Sequence, residues 1–223
     1  MSPRGRTKTE QEPPPLADTS GLRAPPVTAR GARTRSALVT AARVVFERDG
    51  YLDARLTDIT AEAGCSIGSF YTYFSSKDEI LQAVIEVAQD DMLHPGHPRV
   101  GEDEASPEVV IRESNRAYLE AYKRNAKLMI ILEQVAIIDP KFRAVRRARS
   151  AAFAKRNARG IKDLQDAGLV DPELDPYMAS MALSSMVGRM AYNVFCLGDK
   201  ATMKQLVETT TRLWANALLL KVD

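Results

Sequence analysis

The stretch TDITAEAGCSIGSFYTYFSSKDEIL, residues 57–81, decides the fold. Its first part reads as a short helix, with Thr57 as its cap and Asp58 in its first turn, where a carboxylate meets the positive end of the helix dipole. Gly64-Cys65-Ser66 makes a tight turn, and Ser66 caps a second short helix, Ile67 to Phe74. Ser76-Lys77-Asp78-Glu79 has the form of a capping box for a longer third helix, with Ile80, Leu81, Val84, Ile85 and Ala88 as its apolar stripe. Two short helices around a glycine-bearing turn form a helix-turn-helix, whose second helix enters the DNA major groove. That helix carries the hydroxyls of Ser66, Ser69, Tyr71, Thr72 and Tyr73, with Gly68 where a backbone can approach closely. Short hydroxyl donors and phenols touch phosphates and base edges. Lys77 opens the next helix, so its ammonium and the free N–H groups there both suit a phosphate. Phe70 and Phe74 have the spacing of a buried face.

Working upstream, Leu38, Ala41, Ala42, Val45 and Phe46 recur at helical spacing, from Thr34 to a stop at Gly50. Residues 1–30 hold Pro3, Pro13, Pro14, Pro15, Pro25 and Pro26 and few large apolar side chains, and they read as a disordered tail. Up to residue 35 the chain carries seven basic and three acidic residues, hence +4, and Arg30, Arg33 and Arg35 suit DNA phosphates or the minor groove. The segment 31–86 holds six basic and eight acidic residues, hence −2, so its own charge does not draw it to DNA.

Downstream the pattern stays helical. Residues 94–105 form a Pro/Gly/acid-rich loop, and its His94 and His97 lack the spacing of metal ligands. Ser106-Pro107 starts a helix with Ala117, Tyr118, Ala121 and Tyr122 on its buried face. Leu128 to Ile138 is apolar on nearly every side and belongs centrally, until Pro140 breaks it. A basic helix follows from Lys141 to Ala167, ending at Gly168; its residues 141–162 carry nine basic residues and no acid, scattered around the axis as a solvated face would be or, for a subset of them, placed at the mouth of a pocket for a phosphate- or carboxylate-bearing ligand. Pro176 opens a helix to Cys196, and Asp199 caps the last one. No alternating strand pattern occurs, so the fold class is all-α.

Composition narrows the function. With 45% hydrophobic and 27% charged residues, the 223-residue chain builds an ordinary core rather than a disordered or fibrous one. Cys65 and Cys196 cannot make a disulfide framework and fit a reducing cytoplasm. Apolar runs fall far short of the ~20 residues of a membrane span. Two histidines, no phosphate loop and no nucleophile–base pair leave no catalytic set, no metal set and no cofactor.

The run from Gly64 to Leu81, with Thr57-Asp58-Ile59 and the preceding Phe46-Glu47-Arg48-Asp49-Gly50-Tyr51, resembles the DNA-binding signature of TetR-family transcriptional regulators over residues 33–86. The resemblance implies a three-helix DNA-binding head (31–86) and a helical ligand-binding and dimerisation domain (87–223). It implies phosphate contacts for Thr57, Tyr71, Tyr73 and Lys77, and base-edge contacts for Ile67, Gly68, Ser69 and Thr72. The family usually has a polar or basic residue at the Ile67 position; isoleucine offers only apolar contact, which suits a thymine methyl. It implies a cytoplasmic, homodimeric repressor on a palindromic operator of double-stranded DNA, released by a small, largely apolar effector.

Candidate pocket residues are Met129, Leu132, Glu133, Phe153, Met186, Met190, Tyr192 and Asn193, a mixture of apolar lining and orienting polar groups. Candidate dimer residues are Met181 and Ser185 on the small-residue helix 177–196, and Leu206, Val207, Thr210 and Trp214 on the last helix; two such helices per chain make a four-helix bundle. Packing of those stripes within one chain has the same spacing. A helical enzyme and an architectural protein without a ligand are the rival classes.

Overall fold

The computed structural model describes residues 26–93 and 106–221. The order is α1 (Ala29–Asp53), α2 (Leu56–Glu62), α3 (Ile67–Tyr73), α4 (Lys77–Leu93), α5 (Pro107–Arg124), α6 (Ala126–Ile138), α7 (Pro140–Asp166), α8 (Pro176–Phe195) and α9 (Met203–Ala217). All regular structure among these residues is helical. None of these helices is long and apolar enough to cross a membrane. The loop 94–105, with His94 and His97, and most of the tail lie outside the described residues.

Several boundaries differ from the sequence reading. α1 begins at Ala29 rather than Thr34, because the Thr28 hydroxyl accepts the Gly31 N–H. Residues 29 and 30 therefore belong to the helix and not to the tail. Gly50 breaks α1 as expected, with φ at +79°. Thr57 does not cap α2. The N–H groups of Asp58 and Ile59 close on the Arg55 carbonyl, so Arg55 is the cap and Thr57 already lies in the first turn. Asp199 does not cap α9; its N–H closes the end of α8 on the Asn193 carbonyl. Thr202 caps α9 in a reciprocal box with Gln205.

Two hydrophobic clusters organise the chain. The N-terminal cluster joins Leu38, Phe46, Ile59, Phe70, Phe74, Ile80 and Leu81 to Leu128, Ile131 and Val135 of α6 and Phe142 of α7. The helix 126–138 is thus central as its composition suggests, although Ile137 and Ile138 at its end are exposed. The C-terminal cluster joins Leu119 and Tyr122 of α5, Ile161 of α7, Leu183, Val187 and Ala191 of α8, and Leu206, Val207 and Trp214 of α9. Met129 packs against both.

This packing corrects the proposed dimer seam. Leu206, Val207, Thr210 and Trp214 are buried within one chain, against α5 and α8, and present nothing to a second copy. The small residues of α8 also serve internal packing. The Ser180 hydroxyl donates to the Ala154 carbonyl at 2.9 Å, and Ser184 accepts from Asn157 at 3.2 Å. Gly188 lies close under α5, where an added Cβ would meet the Tyr118 hydroxyl at 3.2 Å, a tight contact. Met181 and Ser185 remain exposed.

Candidate nucleic-acid interface

The interface is built on α2, the turn and α3. Gly64 takes a left-handed φ of +64°, and the Cys65 N–H reaches the Thr60 carbonyl at 3.0 Å, so the turn is closed by its own backbone. The Ser66 hydroxyl then accepts the Ser69 N–H at 3.2 Å and starts α3. Ile59, Phe70 and Phe74 are fully buried, which locks the inner faces of both helices onto α1 and α4. The remaining residues of α3 point outward. Thr57, Ser66, Ile67, Gly68, Tyr71 and Thr72 are exposed, and Ser69 and Tyr73 are half-buried. Ile67 is 42% and Tyr71 51% exposed, more than a core role for either would permit. The Thr72 hydroxyl rests on the Gly68 carbonyl at 3.1 Å, and the Ser66 and Ser69 hydroxyls pair at 3.1 Å.

Lys77 is placed differently from expectation. Its ammonium donates to the carbonyls of Tyr51, Leu52 and Ala54 at 2.8, 3.1 and 3.0 Å and lies 4.7 Å from the centre of the Tyr51 ring. These are carbonyls that the break after Gly50 leaves without helical partners, and a cation there also suits the negative end of α1. The ammonium is consumed in joining α1 to α4 and is not offered to a phosphate. Tyr51 completes the joint by donating its hydroxyl to Asp78; burial first, and then this carboxylate, push the phenol well above its ordinary range. The capping box at 76–79 is half formed. Ser76 accepts the Glu79 N–H at 3.1 Å, but the Glu79 carboxylate turns to the N–H and hydroxyl of Ser75, at 2.5 and 2.6 Å.

The start of α1 lies beside the recognition helix. A Cβ on Gly31 would sit 3.5 Å from the Tyr73 hydroxyl. Arg30 and Arg33 are exposed there, while the Arg35 guanidinium stacks 5.2 Å from the Phe74 ring centre. Arg55 is also exposed and makes no ion pair among the described residues. Its place at the cap of α2 makes it a cation that the sequence reading passed over. The Arg48–Asp49 pair cancels two of the charges: the hydrogen bond between them raises the guanidinium pKa and lowers the carboxylate's.

The candidate pocket residues do not form one lining. Met129 and Leu132 pack on the N-terminal cluster, and Met186, Met190 and Tyr192 on the C-terminal one. Glu133 pairs with Arg146 at 2.6 Å. Phe153 is covered by the Arg156 guanidinium, 4.9 Å from its ring centre. The side-chain oxygen of Asn193, Oδ1, is buried with no hydrogen-bond partner among the described residues. One link was invisible in the sequence: the Arg43 guanidinium of α1 donates to Asn125, at the α5–α6 corner, at 3.1 Å.

Comparison with known proteins agrees with this geometry. Residues 38–84 match the family model described as bacterial regulatory proteins, tetR family. The chain is 24% identical over 183 residues to the HTH-type transcriptional regulator TtgR of Pseudomonas putida, covering 78% of this chain and 86% of that protein. In fold it is similar to SmeT, the repressor of the Stenotrophomonas maltophilia multidrug efflux pump SmeDEF, with TM-score 0.65, 20% identity, and coverage of 85% and 93%. It is also similar to AibR, solved with isovaleryl coenzyme A and operator DNA, with TM-score 0.62, 23% identity, and coverage of 81% and 97%.

Proposed function

We propose that this chain, which belongs to the TetR family of transcriptional regulators, is a repressor that binds a palindromic operator as a homodimer and leaves it when a small, largely apolar effector binds. The observation that carries the reading is the division of α3. Its Phe70 side and the adjoining Phe74 are fully buried, while Ile67, Gly68, Tyr71 and Thr72 stand clear on one exposed face. A helix so anchored offers its other side to a groove without rearrangement. Ile67 contacts a thymine methyl, Ser69 and Thr72 reach base edges, and Thr57, Ser66, Tyr71 and Tyr73 hold phosphates, joined by Arg30, Arg33 and Arg55. Lys77 acts on DNA indirectly, by fixing α4 to α1.

Two heads are needed for useful specificity, set about one helical turn of DNA apart. The exposed apolar residues Met178 and Met181 of α8 and Leu213 of α9 support a seam on the outer faces of these helices, with exposed Ser185 one turn beyond Met181. Met181→Glu splits such a dimer without loss of helix. For the effector, Met129, Met186, Met190 and Tyr192, all packed on the C-terminal cluster, supply the apolar contacts, and the unpartnered Asn193 side-chain oxygen accepts a donor from the ligand.

The test is selection of DNA from a random pool by the purified protein. Enrichment of a two-fold symmetric site, weakened when uracil replaces one thymine per half-site, is the expected result. Failure to enrich any sequence, or a site without symmetry, overturns the proposal.

A further inference from the structure

One seam between the head and the rest of the chain is the contact of α1 with α6, where Leu128, Ile131 and Val135 lie in the same core as Leu38, Val45 and Phe46. Apolar contact is non-directional, so these side chains hold α6 against α1 without fixing where it sits along that helix. The register needs a directional bond, and one is present at the start of α6. The Arg43 guanidinium donates through Nε to Glu47 at 2.8 Å and through Nη2 to the side-chain oxygen of Asn125 at 3.1 Å. Asn125 is buried and is itself held at the corner, its side-chain amide and its backbone N–H both donating to the Ala121 carbonyl, at 3.0 and 3.2 Å. A charged donor partly shielded from water makes a strong bond, and the Glu47 carboxylate fixes the orientation of the fork.

The same corner is also held by the end of α8. The Cys196 thiol donates to the Ala126 carbonyl at 3.4 Å, and the Tyr122 hydroxyl donates to the Cys196 sulfur. The Tyr122 ring centre lies 6.4 Å from that of Phe195. Tyr122 and Ala126 flank Asn125, in the stretch that ends α5 and starts α6. Cys196 is tied in turn to the residues before it. Its N–H and that of Leu197 reach the Tyr192 carbonyl at 2.8 and 3.2 Å, and the Asp199 N–H reaches the Asn193 carbonyl at 3.1 Å. One backbone corner is therefore gripped by two distant parts of the chain, Arg43 of the head and the end of α8.

We propose that this corner is the joint that couples effector occupancy to the setting of the DNA-binding head, and that Arg43 is a positioning residue for operator binding, acting through Asn125 rather than on DNA. The inference rests on the repressor reading above, in which Tyr192 and Asn193 touch the effector. Displacement of that last turn of α8 moves Cys196 and, through its bonds, Tyr122 and Ala126. Asn125 lies between these two in the chain, so its side chain follows, and Arg43 carries the shift into α1. Phe46 of α1 and Phe70 of α3 share one core, so α3 turns with α1. Without the Arg43 bond, α6 slides along the apolar seam and the head stays where it is. Coupling of this kind is a free energy between two sites, and a measured non-additivity is its proof.

The experiment uses the full-length protein with Arg43→Met, Cys196→Met and Tyr122→Phe. Without DNA, the Arg43 Nε–H resonance reports on the joint, and that of Arg48, which faces Asp49 and Glu62 instead, is the control. Cys196→Met and Tyr122→Phe are each expected to shift the Arg43 signal and leave the Arg48 signal in place. With DNA drawn from the random-pool selection, Cys196→Met presses a larger side chain on the corner and is expected to weaken binding about tenfold while Arg43 is present. In the Arg43→Met background the same change is expected to alter affinity by less than about twofold. Arg43→Met keeps the salt slope of binding, because it removes no phosphate contact. An Arg43 signal that ignores Tyr122→Phe overturns the proposal. So does a Cys196→Met effect of equal size in the two backgrounds, or a fall in salt slope with Arg43→Met. Tyr122→Phe deletes a single oxygen, so the resonance test stands even if Cys196→Met fails to fold. If the pool yields no preferred sequence, the repressor reading fails, and the resonance test alone decides the joint.

Discussion

The two hydrophobic cores differ less in apolar packing than in how their buried polar atoms are matched. In the N-terminal core the Thr60 hydroxyl donates to the Thr57 carbonyl at 3.0 Å, and buried Glu79 takes two bonds from Ser75. Asn125, 3% exposed, accepts from Arg43 and donates to the Ala121 carbonyl at 3.0 Å. The C-terminal core satisfies Ser180 and Thr210 but leaves Asn115, Thr211 and Trp214 with unpartnered atoms. A fully matched core specifies one arrangement, which suits a part that must present one helix face at a fixed angle. A core with open polar positions carries at each of them the cost of leaving water without a bond in return.

The largest expected effect tests the first half of that contrast. Phe70→Ala removes a fully buried ring that holds α3, and should cost about 3–5 kcal/mol. Leu206→Ala in the other core should cost about 2–5 kcal/mol but leave the face of α3 intact. Denaturant unfolding gives both values. Operator binding measured on the fraction that remains folded should be lost in the first variant and kept in the second. Equal loss of DNA binding would mean that the two cores are not separable in function.

Lys77 sharpens the contrast at the level of single bonds. Lys77→Met removes an ammonium from three carbonyls and should cost about 1–3 kcal/mol. The salt dependence of operator binding should keep its slope, whereas Arg55→Gln should lower the slope by about one, because only the latter removes a phosphate contact in the proposed complex. A fall in slope with Lys77→Met would return the ammonium to the DNA.

Much of this was legible in residues 57–81, and the reason is local. Ser66 as cap, Gly64 as left-handed turn and Phe70 and Phe74 as buried face each depend on neighbours within four residues. What depends on distant partners was not legible. Lys77 at the head of a helix suits a phosphate until the break of α1 brings carbonyls 23 to 26 positions away into reach. The stripe Leu206, Val207, Thr210 and Trp214 says which face of α9 is buried, but spacing alone cannot say whether α5 or a second chain covers it. The cap of α9 is a different case, since Thr202 and Gln205 at positions 202 and 205 are a capping-box pattern readable in the sequence.

Asn125→Ala tests how the two regions are tied. It deletes a bond between α1 and the α5–α6 corner, while Arg43 keeps its 2.8 Å pair with Glu47. The cost should be about 1 kcal/mol. Calorimetry should show a broader or divided unfolding transition in the variant than in the unaltered protein, as the head loses a connection to the rest. An unchanged, sharp transition would place the coupling entirely in the apolar contacts of α6.

The smallest effect is the most specific, because one substitution is made in each core with opposite expected signs. Thr→Val exchanges a hydroxyl for a methyl of nearly the same size, so packing is conserved and the hydrogen bond is isolated. Thr60 is 5% exposed and its hydroxyl is bonded; Thr60→Val leaves the Thr57 carbonyl short of that partner and should destabilise by about 0.5–1.5 kcal/mol. Thr211 is 1% exposed and its hydroxyl has no partner, so it bears the cost of leaving water without a bond in return. Thr211→Val removes that cost and should leave stability unchanged or raise it by up to about 1 kcal/mol. Urea midpoints of the two variants decide the matter. If Thr211→Val destabilises as much as Thr60→Val, the hydroxyl already has a partner in solution, and the two cores are matched alike.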